Sequence, residues 1–139
     1  HRLKGNEQRQ EIIINKNYGK LPPVNCYPSQ INQVFFQIIT NAIDVFNTSD
    51  VDKFPEIIIT TTMESAQMVR IIIADNGVGM SESLRQKIFD PFFTTKPVGQ
   101  GTGLGLSISY QIITEQHGGQ LKCLSQPGQG TQFIIDLPT

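Results

Sequence analysis

A stripe of apolar residues between positions 31 and 46 matches one face of a helix and limits the folds open to the chain. Apolar side chains recur there at intervals of three and four residues, which is the spacing of an amphipathic helix. Pro28, just before the stripe, is a residue that helices accept in their first turn. The stripe consists of Ile31, Val34, Phe35, Ile38, Ile39, Ala42, Ile43 and Phe46. So wide an apolar face has to be covered by a second layer of structure.

The other apolar segments predict that this second layer is a sheet. Runs rich in β-branched residues and bounded by Gly, Pro, Asn or Asp are typical of strands. The predicted strands cover residues 11–18, 56–62, 68–75, 120–125 and 131–137. A second helix is predicted over Leu104–His117, where Gly118 and Gly119 stop it. The sequence therefore predicts an α/β (α+β) two-layer sandwich, with a mixed, mainly antiparallel sheet covered on one face by helices.

Composition argues against several other classes of protein. Of the 139 residues, 38% are hydrophobic and 17% charged, which is typical of a soluble globular protein. The net charge of −1, without a cluster of Lys and Arg, argues against a nucleic-acid-binding protein. Cys26 and Cys123 lack the spacing of a metal site, so we expect free thiols in a reducing compartment. No apolar run approaches the ~20 residues of a membrane span, and no signal peptide is visible.

The length predicts a single domain over residues 1–139. Because the first residue is His1 rather than Met, we interpret the sequence as a fragment of a longer protein. The polar residues 1–10 are then expected to be the end of a preceding helix.

The polar face of the first helix carries a candidate metal ligand. Gln37, Asn41 and Asp44 fall together beside and opposite the apolar stripe. The amide oxygen of Asn41 could coordinate Mg²⁺, a cation that prefers oxygen ligands and keeps several waters. A solvated polar face without a ligand is the alternative reading.

Two glycine-rich segments flank a long loop, and both are suited to a nucleotide. Asp75 ends a strand and is followed by Gly77 and Gly79, so a fixed acceptor lies beside backbone that a flat ligand can approach, although a simple turn has the same pattern. The segment Gly101–Leu106 leads directly into the second helix, where backbone N–H groups and the helix dipole can hold phosphate. Its spacing is neither that of a dinucleotide-binding fingerprint nor that of a P-loop.

The segment Phe89–Lys96 lies between the two glycine-rich segments, in a loop long enough to be functional. Its three phenylalanines suggest a hydrophobic latch that packs when the loop closes, and Lys96 could supply a cation to a polyphosphate. A small satellite core that anchors the loop is the alternative.

Taken together, these motifs resemble the histidine-kinase branch of the superfamily that also contains the Hsp90, DNA gyrase and MutL ATPases. The resemblance runs from about residue 12 to about residue 137. Asn41-Ala42 resembles the N box of that family, Asp75–Gly79 its G1 box, Phe89–Lys96 its F box and Gly101–Leu106 its G2 box, while Gly128–Phe133 resembles its closing strand. The fold that this resemblance implies is the Bergerat ATP-binding fold.

The resemblance also implies the cofactors, ATP and Mg²⁺, and the residues that hold them. Asp75 would accept a hydrogen bond from the adenine amine, and Asn41 would coordinate Mg²⁺. Residues 80–100 would form a lid over ATP. The residues implied at the nucleotide are Asn41, Asp75, Gly77, Gly79, Lys96, Gly101, Thr102, Gly103, Leu104, Gly105 and Thr131.

A histidine kinase of this kind would transfer the γ-phosphoryl group of ATP to a histidine on dimerisation helices outside the chain, so we expect no catalytic side chain within it. The other implied partner is a response regulator, in the cytoplasm. We expect neither nucleic acid nor membrane to contact this domain, and we expect the fragment to be a monomer. A nucleotide-binding module without catalysis and a serine-directed kinase are the alternatives.

Three polar residues need separate comment: Gln37 bears on the choice between kinase and ATPase, and Asp44 and His117 on which residues meet phosphate. Gln37 stands where histidine kinases usually have Asn and where the ATPase branches have the Glu that activates water; an amide cannot take up a proton as that Glu does. Asp44 replaces the Lys or Arg of many members, so we do not expect it to contact phosphate. His117 precedes Gly118 at the end of the second helix and is expected to cap that helix rather than to accept phosphate.

Overall fold

The chain folds into a six-stranded sheet with helices packed on one face, in a computed structural model that describes residues 2–3, 12–19, 21, 24–48, 54–91 and 105–139. The strands are β1 (Arg2–Leu3), β2 (Ile12–Tyr18), β3 (Glu56–Ser65), β4 (Met68–Asp75), β5 (Gln120–Ser125) and β6 (Thr131–Pro138). The helices are α1 (Pro28–Thr48), α2 (Glu82–Arg85), α3 (Gly105–Gln111) and a π-helix that continues α3 (Ile112–Gln116). The predicted two-layer α/β sandwich is confirmed.

The sheet has the order β1-β2-β3-β4-β6-β5 and is mixed, as predicted. Among the strands that the structure describes, only β2 and β3 run parallel to each other, and α1 forms the connection between them. The other four pairs are antiparallel, and the hairpins β3–β4 and β5–β6 join consecutive strands. Strand β4 therefore lies near the middle of the sheet, between β3 and β6, and its last residue, Asp75, pairs with Ile57 on one side and Thr131 on the other.

The core lies between the sheet and the helices. Val34 and Ile38 of the predicted α1 stripe are 0% and 1% exposed, and they share one apolar cluster with Ile57 of β3, Ile73 of β4 and Ile135 of β6. Phe35, Ile39 and Ile43 are partly buried at the margin of this cluster. The helical periodicity therefore predicted the buried face of α1 correctly. None of the helices among the described residues is long and apolar enough to cross a membrane.

Several boundaries differ from the sequence prediction. Arg2 and Leu3, predicted to belong to a helix end, instead form a short strand paired with Ile12 and Ile13; the rest of residues 1–10 lie outside the described part of the chain. Strand β3 continues to Ser65, three residues beyond the prediction. The second predicted helix is α-helical only to Gln111, after which it becomes a π-helix.

Candidate functional site

The carboxyl group of Asp75 lies half-buried at the end of the central strand β4. The backbone N–H of Gly77 donates a hydrogen bond of 2.9 Å to its Oδ1 atom. Burial raises the pKa of this carboxyl, and hydrogen bonds from the backbone of Gly77 and Thr131 offset part of that increase. Asp75 is thus a fixed acceptor at the edge of the helix-covered face, held by the backbone of two neighbouring segments.

Asn76 has a structural role beside this carboxyl. Its side-chain Oδ1 accepts a hydrogen bond of 2.9 Å from the backbone N–H of Glu56, and its Nδ2 donates one of 2.8 Å to the carbonyl of Phe54. Both partners lie where the chain enters β3. The Asx side chain therefore ties the end of β4 to the start of β3 and fixes the direction in which the following glycines leave the sheet.

The glycines after Asp75 allow two loops to meet backbone to backbone. Gly79 has φ +71°, and a Cβ atom there would lie 2.0 Å from the carbonyl oxygen of Gln126. Gly130 has φ +78°, and its Cβ would lie 2.1 Å from the carbonyl oxygen of Asp75. No L side chain fits at either position, because the backbone conformation and the space both exclude it. The two glycines thus close the β5–β6 turn onto the segment that follows β4.

Ser125 fastens the same junction through its hydroxyl group. The Oγ atom accepts a hydrogen bond of 2.7 Å from Met80 N–H and donates one of 3.0 Å to the carbonyl of Gly130. It also lies 2.9 Å from Oγ1 of Thr131, its register partner across the hairpin. Because the single proton of Ser125 is used on Gly130, Thr131 has to donate in the contact between the two hydroxyls. The first residue of the predicted lid is thereby held to the sheet.

Helix α1 contacts both of the glycine-rich segments. Val45 contacts the first segment: its Cγ1 atom would lie 3.1 Å from a Cβ on Gly77. Gln37 contacts the second: its amide would lie within 2.2–2.5 Å of a Cβ on Gly105. Residues 37, 41 and 45 are four apart, so they follow one helix face with about 40° of drift per step. Asn41 therefore lies midway between the two contacts, about 6 Å along the axis from each.

Asn41 is half-buried, and its side chain is held by its neighbour one turn earlier. Gln37 Nε2 donates a hydrogen bond of 3.0 Å to Asn41 Oδ1. An amide oxygen carries two lone pairs, so this bond leaves one of them for a further partner. The side chain of Asn41 thus offers an oxygen, the type of ligand atom that Mg²⁺ prefers.

The loop after β4 begins with a short ordered segment. Ser81 caps α2, and its hydroxyl accepts a hydrogen bond of 3.2 Å from Leu84 N–H. Phe89 then packs on Tyr110 of α3 and on Phe133 of β6, with ring centroids 5.2 Å and 6.4 Å away. The first phenylalanine of the predicted latch therefore anchors this end of the loop. Residues 92–96 of the segment Phe89–Lys96 lie outside the described part of the chain.

His117 holds the end of the π-helix against the start of α1. Its Nε2 atom accepts a hydrogen bond of 3.0 Å from Tyr27 N–H, so the ring proton is on Nδ1, which donates at 2.8 Å to the carbonyl of Ile112. Tyr27 also packs edge-on against the imidazole, with ring centroids 5.5 Å apart. The predicted helix-ending role is confirmed, with both ring nitrogens engaged.

The structure brings one group of predicted residues together and leaves another undescribed. Asp75, Gly77, Gly79 and Thr131 meet at the end of β4, while Asn41 lies on α1 and Gly105 begins α3, where it contacts α1 through Gln37. Two features of the site were not predicted from the sequence. One is Ser125, whose only signal is its position opposite Thr131 in the hairpin, and the other is the packing of Gln37 on Gly105, which has no local signal. The predicted residues outside the described part of the chain are Lys96, Gly101, Thr102, Gly103 and Leu104.

Comparisons with known proteins show which family the chain resembles. Residues 26–139 match the family described as histidine kinase-, DNA gyrase B- and HSP90-like ATPase. Sporulation kinase E of Bacillus subtilis (strain 168) is 41% identical over 118 residues, which are 85% of this chain and 15% of that relative. The chain thus spans a small part of such proteins.

Among solved structures, the catalytic domain of the histidine kinase ThkA in a nucleotide-free form superposes with a TM-score of 0.74 at 32% identity, covering 91% of this chain and 80% of that one. A complex of the same kinase with the response regulator protein TrrA superposes with a TM-score of 0.71 at 30% identity, over 91% of this chain and 34% of that one. The overlap therefore extends over four-fifths of a solved histidine-kinase catalytic domain.

Proposed function

The chain belongs to the histidine kinase-, DNA gyrase B- and HSP90-like ATPase family, and we propose that it is the ATP-binding catalytic domain of a two-component sensor histidine kinase. Residues 1–139 act as one unit that binds ATP and Mg²⁺ and presents the γ-phosphoryl group to a histidine on dimerisation helices. A response regulator then receives the phosphoryl group, and the complex of ThkA with the response regulator protein TrrA supports this choice of partner. The domain works in the cytoplasm.

The placement of Asn41 carries this proposal. It lies on α1 midway between the contacts with Gly77 and Gly105, so one side chain stands between the base end and the phosphate end of the site. A carbonyl oxygen held by Gln37 and still able to accept is a suitable ligand for a cation that also binds phosphate oxygens. When bound there, Mg²⁺ would offset the negative charge on the phosphates.

Asp75 gives the site its selectivity for adenine. Its ionised carboxylate can only accept hydrogen bonds, and the exocyclic amine of adenine is a donor. Gly79 and Thr131 complete the base end of the site through ordered water. Gly101–Gly105 hold the phosphates, Lys96 reaches the terminal ones, and residues 80–100 close over them.

The chain's own residues contribute orientation and charge rather than a reacting side chain. In the transfer, a nitrogen of the partner imidazole forms a bond to the γ-phosphorus while the bond to the bridging oxygen breaks and ADP leaves. The imidazole releases its proton to solvent. Such a reaction depends mainly on positioning and on charge stabilisation. Gln37 also fits a kinase better than an ATPase, since its amide cannot remove a proton from water.

The test is phosphoryl transfer in trans. The chain is incubated with labelled ATP, Mg²⁺ and a separately prepared dimerisation-helix fragment that carries the acceptor histidine. We expect acid-labile label on that fragment. We expect Asp75→Asn to abolish it, because the N–H of Gly77 would retain the amide oxygen and leave the amide nitrogen, a donor, facing the adenine amine. Glu64→Gln is the matched control, since it changes an exposed carboxylate toward the opposite end of the β3–β4 hairpin.

Two results would contradict the proposal. Label on the isolated chain would mean that it carries its own acceptor. Nucleotide binding without any transfer to the helices would instead identify a non-catalytic binding module on the same fold.

A further inference from the structure

We propose that Gln37 is a positioning residue that sets the direction of the Asn41 amide and makes it depend on the position of α3. This inference rests on the proposed function, because it assigns a role at the same site. It differs from a role for Gln37 as a direct ligand of the metal or the phosphates. Two separate contacts of its side chain carry it.

The first contact is the hydrogen bond within α1. Gln37 Nε2 donates to Asn41 Oδ1 at 3.0 Å. The amide groups of asparagine are nearly symmetrical in shape, so packing alone distinguishes poorly between oxygen and nitrogen at a given side. Gln37 presents its Nε2 hydrogens to this side chain, and they attract the oxygen of Asn41 and repel its Nδ2 hydrogens. Asn41 therefore keeps its oxygen, with one lone pair free, on the side where Gln37 lies.

The second contact is with the first residue of α3. An ideal Cβ on Gly105 would lie 2.2 Å from Cδ, 2.3 Å from Oε1 and 2.5 Å from Nε2 of Gln37. All three atoms of the amide group thus occupy the space that a side chain at 105 would need. Gly105 begins α3 directly after the predicted phosphate-binding residues.

These contacts place the Gln37 amide between Gly105 and Asn41. A displacement of either residue therefore changes the position of the amide and its contact with the other residue. If α3 shifts towards α1, the amide has to turn, and its bond to Asn41 changes with it. The residue that would hold the metal is therefore coupled to the backbone that would hold phosphate, by a side chain that contacts both Asn41 and Gly105. Asparagine, shorter by one methylene, and glutamate, without a donor at physiological pH, would each lack part of this coupling.

Loss of the Gln37 donor should weaken the effect of Mg²⁺ on ADP binding and leave metal-free ADP binding as it is. Gln37→Met keeps a similar length and removes the hydrogen-bond donor. We expect the affinity for ADP in excess EDTA to stay unchanged. The factor by which Mg²⁺ tightens ADP binding should fall about fivefold, in line with a lost hydrogen bond of roughly 1 kcal/mol. A merely structural role would weaken both affinities together.

The measurement is calorimetric titration of ADP with Mg²⁺ and with EDTA, on the wild type, Gln37→Met, Asn41→Ala and the double variant. If Gln37 acts through Asn41, the double variant has the same Mg²⁺ factor as Asn41→Ala alone. A further loss in the double variant would show that Gln37 meets the metal or the phosphates directly and would overturn the inference. An unchanged factor in Gln37→Met would overturn it as well.

Failure of the proposed function would look different. It would appear in the wild type as absent ADP binding, or as binding that Mg²⁺ does not tighten, before any variant is compared. A measurement on the folded wild type covers the case in which Gln37→Met does not fold. Hydrogen exchange of the Gln37 side-chain amide should be slower than that of exposed Gln67, and Asn41→Ala should accelerate it. Equal exchange at Gln37 and Gln67 would contradict the inference.

Discussion

The two cysteines of the chain lie in opposite environments. Cys26 is exposed just before α1, whereas Cys123 on β5 is 3% exposed and belongs to the apolar core. Burial raises the pKa of the Cys123 thiol to about 12, with the nearby charge of Asp75 adding to the effect and that of Arg85 opposing it. Thiolate is the reactive form of cysteine, so Cys123 is a core residue with little reactivity while the chain is folded.

Thiol labelling at about pH 8 should therefore modify Cys26 and leave Cys123 intact until the protein is unfolded. The raised pKa also affects stability. The unfolded thiol ionises near 9.0 and the folded one only near 12, so the contribution of Cys123 is complete below pH 9.0 and is lost between these values. The unfolding free energy of Cys26→Ser should therefore fall more steeply with pH across this range than that of Cys26→Ser/Cys123→Ala. An equal dependence of the unfolding free energy on pH in the two variants would contradict this prediction.

At the scale of the elements, an ion pair crosses the centre of the sheet on the face opposite the apolar core. Arg70 of β4 is the register partner of Asp136 of β6, and its guanidinium makes two hydrogen bonds to that carboxylate, at 2.8 Å and 3.0 Å. Glu64 contacts the same guanidinium at 3.2 Å. The Asp136 side chain is 6% exposed and that of Glu64 is 48% exposed, so one arginine has a buried and a solvated partner.

The two carboxylates should consequently differ in their importance for stability. We expect Asp136→Ala to lower the free energy of unfolding by about 2 kcal/mol, since it removes two charge-assisted hydrogen bonds from a partly exposed guanidinium that keeps its contact with Glu64. Glu64→Ala should change it by less than about 0.5 kcal/mol, because solvent screens the exposed pair. Urea denaturation of both variants provides the comparison. Similar losses in the two would mean that burial does not set the strength of this pair.

The extent to which the elements could be predicted follows from how local their signals are. The buried stripe of α1 was predicted residue by residue because helical periodicity lies within the segment itself. Arg2–Leu3 form a strand because Ile12 and Ile13 pair with them, and β3 extends to Ser65 by pairing with Met68 past an irregularity in the register. The π-helix likewise has no distinct sequence pattern. These features depend on partners elsewhere in the chain, so local propensity could not predict them.

At the scale of the whole molecule, the candidate site is assembled from segments that are distant in the sequence. The order of its motifs indicated the family, and the register of β4 with β6 brings Asp75 beside Thr131. The junctions between segments were not predictable in the same way. Ser125 reaches both Met80 and Gly130, and Gln37 reaches Gly105, only because the sheet and α1 fix where these distant residues meet.

A site assembled in this way should stabilise the whole fold when it is occupied. A ligand that binds only the folded state adds about 2.7 kcal/mol of stability at a hundredfold excess over its Kd. With roughly 3–5 °C per kcal/mol for a domain of this size, Mg²⁺ with ADP should raise the Tm of the wild type by about 10 °C. Asp75→Asn should show almost no shift at the same concentration, because its affinity for the base is lost, and Glu64→Gln should shift as the wild type does. If ADP raised the Tm of Asp75→Asn as much as that of the wild type, the adenine would have to bind elsewhere on the fold.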